Sequence, residues 1–112
     1  MLLTVAELPE YQRRAGKLLS EEEQQDLVSY LAEFPRDGDL IRGTGGVRKL
    51  RWRRSGKGQS GGVRVIYYFH SERMPLYLLT VFAKNERADL TQRERNDLSK
   101  LVDVLVEAAL GE

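Results

Sequence analysis

VRVIYYF, at residues 63–69, is the stretch that decides the fold. Its β-branched and aromatic side chains fit a pleated, buried surface, which predicts a central strand. A second apolar run, Leu76 to Phe82, follows the turn at Met74-Pro75 and is expected to pair with the first in an antiparallel meander. These two runs predict the centre of a sheet.

The segment before this centre predicts a third strand with two unlike faces. From Val47 to Arg54 the side chains should alternate, so that Leu50 and Trp52 share one face of the strand. The other face would carry Lys49, Arg51 and Arg53. Ser55 to Gly62 contains four glycines and predicts the loop of a hairpin.

Helices are predicted both before and after these strands in the sequence. Ser20 to Glu23 and Thr91 to Glu94 both have the capping-box pattern, which marks a helix start. The first of these helices should end before Pro35, and the second carries apolar residues at helical spacing: Leu98, Leu101, Val102, Leu105, Val106 and Ala109. A short strand at Leu2, Leu3 and Val5 and a helical stretch from about Leu8, weakened by Gly16, are expected to open the chain.

This order of elements predicts one α+β domain over residues 1–112, with helices packed on an antiparallel sheet. The chain lacks cysteine and contains one histidine, His70, which excludes thiolate chemistry and a multi-histidine metal cage. We expect no metal and no cofactor. No leader or membrane segment is apparent, so we expect a cytoplasmic protein without a membrane partner.

The charges are strongly segregated along the chain. The stretch from Leu40 to His70 holds eight basic residues and no Asp or Glu, so all 17 acidic residues of the chain lie outside it. A solvated face normally mixes charges of both signs, since like charges at adjacent positions repel. The cluster therefore predicts a polyanionic partner, with nucleic acid favoured over an acidic protein.

Three other features have an ordinary structural interpretation. The G-x-G-x-x-G spacing at Gly56 to Gly61 lacks the preceding strand and following helix of a dinucleotide site, and predicts a hairpin tip. His70 is a candidate general base, but a lone histidine at a strand end is more often a packed or surface residue. The strand aromatics should mostly fill the core, with one or two at most facing a ligand: Trp52, Tyr67, Tyr68 and Tyr77.

The middle of the chain contains four stretches that bear on a family: Gly43 to Trp52, Gly56 to Gly58, Gly61 to Tyr68 and Leu78 to Glu86. In their order and spacing they resemble the HigB-like branch of the RelE/ParE toxin superfamily. The resemblance implies a RelE-like fold and an mRNA interferase, an endoribonuclease that enters the ribosomal A site and stops translation. It also implies a partner, a HigA-like antitoxin with a helix-turn-helix. The toxin would bind operator DNA only through this antitoxin.

The resemblance also assigns roles to basic residues. Arg64 would hold the scissile phosphate, Lys49 would act as base or phosphate ligand, and Lys57 would serve the leaving-group side. Lys84 occupies the family's basic position after the last strand. Arg51 and Arg53 would bind the backbone phosphates of the RNA. Arg48 and Arg54 would do so from the other side or the edge of the strand.

Two other functions remain open on the sequence. A ParE-like toxin would bind DNA gyrase without cleaving RNA, and an RNA-binding module would lack catalysis. The chain departs from the family pattern at Gln59, Phe82 and Asn85, and no tyrosine lies near its C-terminus. Cleavage of mRNA separates the first function from both alternatives.

Overall fold

The computed structural model describes residues 3–53 and 62–111. Its elements confirm the α+β class. In chain order they are β1 (Val5–Glu7), α1 (Pro9–Leu18), α2 (Glu21–Glu33), β2 (Asp39–Leu40), β3 (Val47–Trp52), β4 (Val63–Tyr68), β5 (Leu76–Ala83) and α3 (Gln92–Leu110).

The five strands form one sheet in the order β1-β5-β4-β3-β2. Antiparallel pairing of β3 with β4 and of β4 with β5 confirms the predicted hairpin and meander. Two features were not predicted: β1 pairs parallel with β5, which makes the sheet mixed, and β2 lies at the end of a stretch expected to be a turn. Of the residues predicted for the opening strand, Val5 lies in β1 and Leu3 precedes it. Leu2 lies outside the described residues.

Each face of the sheet covers a separate apolar cluster. Side chains of α1 and α2 pack on one face against Leu50, Val65 and Tyr67, with Trp52 at the margin. Side chains of α3 pack on the other face against Val47 and Ile66. Because side chains alternate along a strand, Lys49 and Arg51 lie on the α3 face with Val47, which confirms the predicted separation of the two sides of β3.

A bulge in β5 sets which residues face α3. The pairing shifts between Ile66 and Tyr67, whose partners are Thr80 and Leu78, so Leu79 has no partner in β4. The extra residue moves the following side chains to the opposite face. Phe82 therefore packs in the α3 cluster, and its Cα partner in β4 is Arg64.

The helix starts follow the predicted capping boxes. Ser20 and Thr91 accept hydrogen bonds from the backbone N–H groups of Glu23 and Glu94, whose side chains bond back to the cap residues. α1 is continuous through Gly16, where the sequence expected a weak point. In α3 the predicted stripe buries Val102 and Leu105, whereas Ala109 is exposed.

Candidate nucleic-acid interface

Three cations lie on the α3 face of two neighbouring strands, and we call Lys49, Arg51 and Arg64 the cationic face. Arg51 and Arg64 are direct Cα partners across β3 and β4, and Lys49 is opposite Ile66. Like charges at paired positions destabilise a sheet. The cationic face is therefore a candidate surface for an anionic ligand.

Arg64 is the most enclosed member of the cationic face. Its side chain is 7% exposed, and its Nη1 donates to the carbonyl oxygen of Val63 at 3.4 Å. Burial, and then the charge of Arg51, lower the pKa of Arg64 from its ordinary value. An arginine nevertheless stays protonated at neutral pH, so this side chain holds a positive charge on a packed strand.

The turn after β5 is fixed to helix α1. Arg14 donates from Nε to the carbonyl oxygen of Val81 at 2.6 Å and from Nη2 to Glu86 Oε1 at 3.3 Å. The same Glu86 oxygen accepts from the backbone N–H of Ala83 at 2.9 Å. These contacts place Lys84, which is exposed and whose N–H donates to Gly62, at the end of the sheet where Arg51 and Arg64 pair.

A further arginine covers the buried ring beside Arg64. The guanidinium carbon of Arg87 lies 4.6 Å from the ring centroid of Phe82, which is fully buried. Arg87 Nη1 donates to both carboxylate oxygens of Glu94, at 2.9 and 2.8 Å. Burial alone would raise the pKa of Glu94, but the Thr91 N–H and Arg87 outweigh it and lower that pKa. This carboxylate is therefore ionised at neutral pH.

Lys49 has an acidic partner that its strand neighbours did not reveal. Its Nζ lies 3.2 Å from Asp89 Oδ1, and Arg95 Nη2 lies 3.4 Å from Asp89 Oδ2. Burial alone would raise the pKa of Asp89. Hydrogen bonds from Leu90 and Lys49 and the charges of Lys49 and Arg95 outweigh burial and lower this pKa. A carboxylate from the loop before α3 therefore balances the positive charge of Lys49 and its arginine neighbours on the strands.

Arg48 lies on the opposite side of β3. Its Nη1 donates to the backbone oxygens of Arg36 at 3.0 Å and Gly38 at 2.8 Å, where it supports the turn before β2. Arg53 is exposed just after β3. Contacts of both residues with RNA phosphates stay predictions, and Arg54 and Lys57 lie outside the described residues.

His70 lies far along β4 from Arg64, beyond the other end of the strand. Its Nδ1 is 2.9 Å from Ser71 Oγ, and its ring lies beside Tyr68 with centroids 6.4 Å apart. Tyr67 and Tyr68 are buried, as expected for core aromatics. The structure thus brings Lys49, Arg51 and Arg64 together on one face and leaves His70 apart from them.

Sequence reasoning missed Arg14, Arg87, Asp89 and Arg95. All four lie outside the basic segment, in α1, in the loop after β5 and in the first turn of α3. The one local signal was the capping box at Thr91 to Glu94, which anchors that loop and with it Arg87 and Asp89. Across residues 3–53 and 62–111, no group of three or more His, Cys, Asp or Glu side chains could hold a metal ion.

The fold and site together define a small α+β domain with a partly buried cationic surface on its sheet. Comparison with known proteins gives the family. Residues 6–111 match the family model described as the RelE toxin of the RelE/RelB toxin–antitoxin system. The chain therefore belongs to the RelE toxin family, whose members are the toxins of toxin–antitoxin systems.

A solved structure shares the fold. It is a double arginine-to-alanine mutant of the Escherichia coli toxin RelE in the free state, with a TM-score of 0.61 and 18% sequence identity. The match covers 91% of this chain and 98% of the other. None of the helices in the described parts of this chain is long and apolar enough to span a membrane.

Proposed function

We propose that this toxin is an mRNA interferase that cleaves mRNA on the ribosome. The observation that carries the proposal is the pairing of Arg51 with Arg64 on adjacent strands, with Arg64 almost buried. A desolvated guanidinium offers two parallel donors to the nonbridging oxygens of a phosphate and suits the charge that builds up during cleavage. Membership in the RelE family and the HigB-like sequence blocks support the same activity.

The proposed reaction uses the RNA's own 2′-hydroxyl as nucleophile. Its oxygen bonds to phosphorus and loses its proton, while the bond from phosphorus to the 5′-oxygen breaks and that oxygen gains a proton. The products are a 2′,3′-cyclic phosphate and a 5′-hydroxyl. Arg64 binds the phosphate, and Lys57 is the proposed donor on the leaving-group side.

Lys49 and Lys84 complete the proposed site. Lys49 faces a carboxylate at 3.2 Å as an ammonium group, which favours a role as phosphate ligand over that of a base. Lys84 adds a cation at the same end of the sheet. Arg51 and Arg53 are the proposed ligands of the neighbouring backbone phosphates.

The proposed partner is an antitoxin of the HigA-like kind, with a helix-turn-helix through which the complex binds operator DNA. Such an antitoxin would neutralise the toxin by covering the cationic face or by making it too large for the ribosomal A site. The gene beside the toxin is the first place to test this proposal. A short helix-turn-helix protein encoded there should copurify with the toxin.

Primer extension on mRNA after brief induction of the toxin tests the activity. We expect new 5′ ends in phase with codons for the wild type, and loss of these ends and of toxicity in Arg64→Ala. His70→Ala is the matched control and should cleave like the wild type, because His70 lies beyond the other end of β4. Thermal unfolding checks that both variants fold.

Each other outcome excludes the proposal in a defined way. DNA breaks with intact mRNA indicate a gyrase-binding toxin. Absence of both kinds of damage, with RNA still bound, indicates a binding module without catalysis. Loss of cleavage in His70→Ala with full activity in Arg64→Ala would contradict a mechanism based on charge stabilisation.

A further inference from the structure

One carboxylate joins a cation of the sheet to a cation of the last helix. Each oxygen of Asp89 meets a different partner: Oδ1 lies 3.2 Å from Lys49 Nζ, and Oδ2 lies 3.4 Å from Arg95 Nη2. Oδ1 also accepts from the backbone N–H of Leu90 at 2.8 Å. The two nonbridging oxygens of a phosphodiester can make the same pair of contacts.

The cations belong to the framework, and the carboxylate belongs to a loop. Lys49 lies within β3 and Arg95 within α3, with side chains 27% and 29% exposed. Asp89 lies between β5 and α3 and is 41% exposed. Arg95 Nε is buried and makes no hydrogen bond within the described part of the chain, so Asp89 satisfies this guanidinium only in part.

We propose that Lys49 and Arg95 form a phosphate subsite, which Asp89 occupies in the unbound protein and an RNA phosphodiester occupies in the complex. The ligand class rests on the proposed function. Lys49 and Arg51 are two residues apart on the same face of β3, about 7 Å along the strand. A ribose-phosphate chain lying along β3 therefore reaches the Arg51–Arg64 pair and the subsite in succession.

Asp89 acts as an internal competitor of RNA at this subsite. RNA must displace the carboxylate, which lowers the affinity of the protein for any polyanion that does not fill the whole surface. Although burial opposes it, the surrounding cations and the N–H of Leu90 hold the pKa of Asp89 below its ordinary value. The carboxylate is therefore charged at neutral pH and competes with RNA for Lys49 and Arg95. Selectivity for the correctly seated RNA follows from this competition.

Asp89→Asn removes the competing charge and keeps an oxygen for the N–H of Leu90. It should bind a 2′-O-methylated RNA oligonucleotide, which cannot be cleaved, about threefold to tenfold more tightly than the wild type. Asp26→Asn is the matched control, since it makes the same charge change on α2, on the other side of the sheet. Its affinity should change by less than about twofold, because charges beyond the Debye length are screened.

The gain should depend on Arg95. In an Arg95→Gln background, Asp89→Asn should give a smaller gain, because only Lys49 is then released from the carboxylate. An undiminished gain in that background, or Asp89→Asn binding no more tightly than Asp26→Asn, would overturn the subsite. Thermal unfolding of each variant identifies any loss of binding that comes from misfolding.

Inorganic phosphate provides a probe that needs no RNA activity. In ¹⁵N-edited NMR, phosphate should shift the Arg95 Nε–H resonance of Asp89→Asn at concentrations that leave the wild type unchanged. If neither protein responds at Arg95, the subsite is refuted even when mRNA cleavage is present. A response at Arg95 in a protein that cleaves no mRNA supports the subsite and refutes the proposed function instead.

Discussion

At the scale of single residues, Arg64 has a position that works against stability. Moving an ionised guanidinium out of water costs free energy, and an apolar residue of similar size at such a site is often neutral or stabilising. Arg64 is nevertheless buried beside Arg51, whose charge works in the same unfavourable direction. The phosphate contact proposed for Arg64 would offset part of this cost.

Tyr67 is a residue whose polar atom does serve stability. Its hydroxyl accepts from the N–H of Gly38 at 2.8 Å and donates to the oxygen of Pro35 at 2.9 Å, inside a fully buried setting. Burial raises the pKa of Tyr67, so the hydroxyl keeps the proton that Pro35 accepts. The turn before β2 is thereby attached to the central strand.

Tyr67→Phe should lower the free energy of unfolding by about 1–3 kcal/mol, because it leaves the buried N–H of Gly38 and the half-buried carbonyl oxygen of Pro35 without their partner. Tyr77→Phe is the control, as Tyr77 is half-buried in β5 and its hydroxyl has no hydrogen bond to the described residues. Urea unfolding measures both variants. Equal stability of the two would show that the hydroxyl of Tyr67 does not hold the turn.

At the scale of elements, the parts that follow from local chemistry could be read from the sequence. The capping boxes at Ser20 and Thr91 and the apolar runs of β4 and β5 depend on neighbours a few residues away. The parallel pairing of β1 depends on a partner far along the chain. The two residues of β2 and the bulge at Leu79 depend on the register between neighbouring strands. No local pattern in the sequence specifies either the distant partner or this register.

The start of α3 predicts a dependence of stability on pH. The pKa of Glu94 is lowered in the folded protein, because the Thr91 N–H and Arg87 outweigh the effect of burial. A carboxyl group with a lowered pKa stabilises the fold above its ordinary pKa of 4.5, and the stabilisation is lost as the pH falls through the folded value. This loss lies in the acid range and does not affect neutral pH.

Glu94→Gln keeps the capping box and removes the charge that pairs with Arg87. At pH 7 it should cost about 0.2–1 kcal/mol, since solvent screens a pair this exposed. As the pH falls through the lowered pKa of Glu94, the difference from the wild type should shrink, since the wild-type carboxyl then loses its charge. Glu107→Gln, near the C-terminus of α3, should instead be neutral or slightly stabilising at pH 7, because a negative charge there opposes the helix dipole.

At the scale of the whole molecule, the sequence predicted the cationic face but not its surroundings. Strand alternation placed Lys49 and Arg51 on one face of β3, whereas Arg64 joins them through the register of β3 with β4, which no local pattern specified. Asp89 and Arg95 come forty or more residues after Lys49 in the sequence. They come close to Lys49 only because α3 packs on the same side of the sheet. The charge balance of the site is therefore a property of the tertiary structure.

The two sides of β3 make the last prediction. Binding of RNA releases counterions, so the logarithm of the affinity falls linearly with the logarithm of salt concentration, by about 0.7 per neutralised phosphate of a single strand. Arg51→Ala, on the α3 face, should weaken binding and reduce this slope by about 0.7. Arg48→Ala tests the phosphate contact that the sequence predicted for this residue. Its guanidinium donates to the carbonyl oxygens of Arg36 and Gly38 on the opposite face, so we expect the slope to stay unchanged.

Arg48→Ala should instead lower the melting temperature, since it leaves those two carbonyl oxygens without a donor. Both variants lose one positive charge, so net charge alone would change their slopes equally. Affinities for the 2′-O-methylated oligonucleotide over a series of salt concentrations separate the two explanations. Equal slopes for Arg48→Ala and Arg51→Ala would mean that RNA senses the overall charge of the toxin and not the cationic face of its sheet.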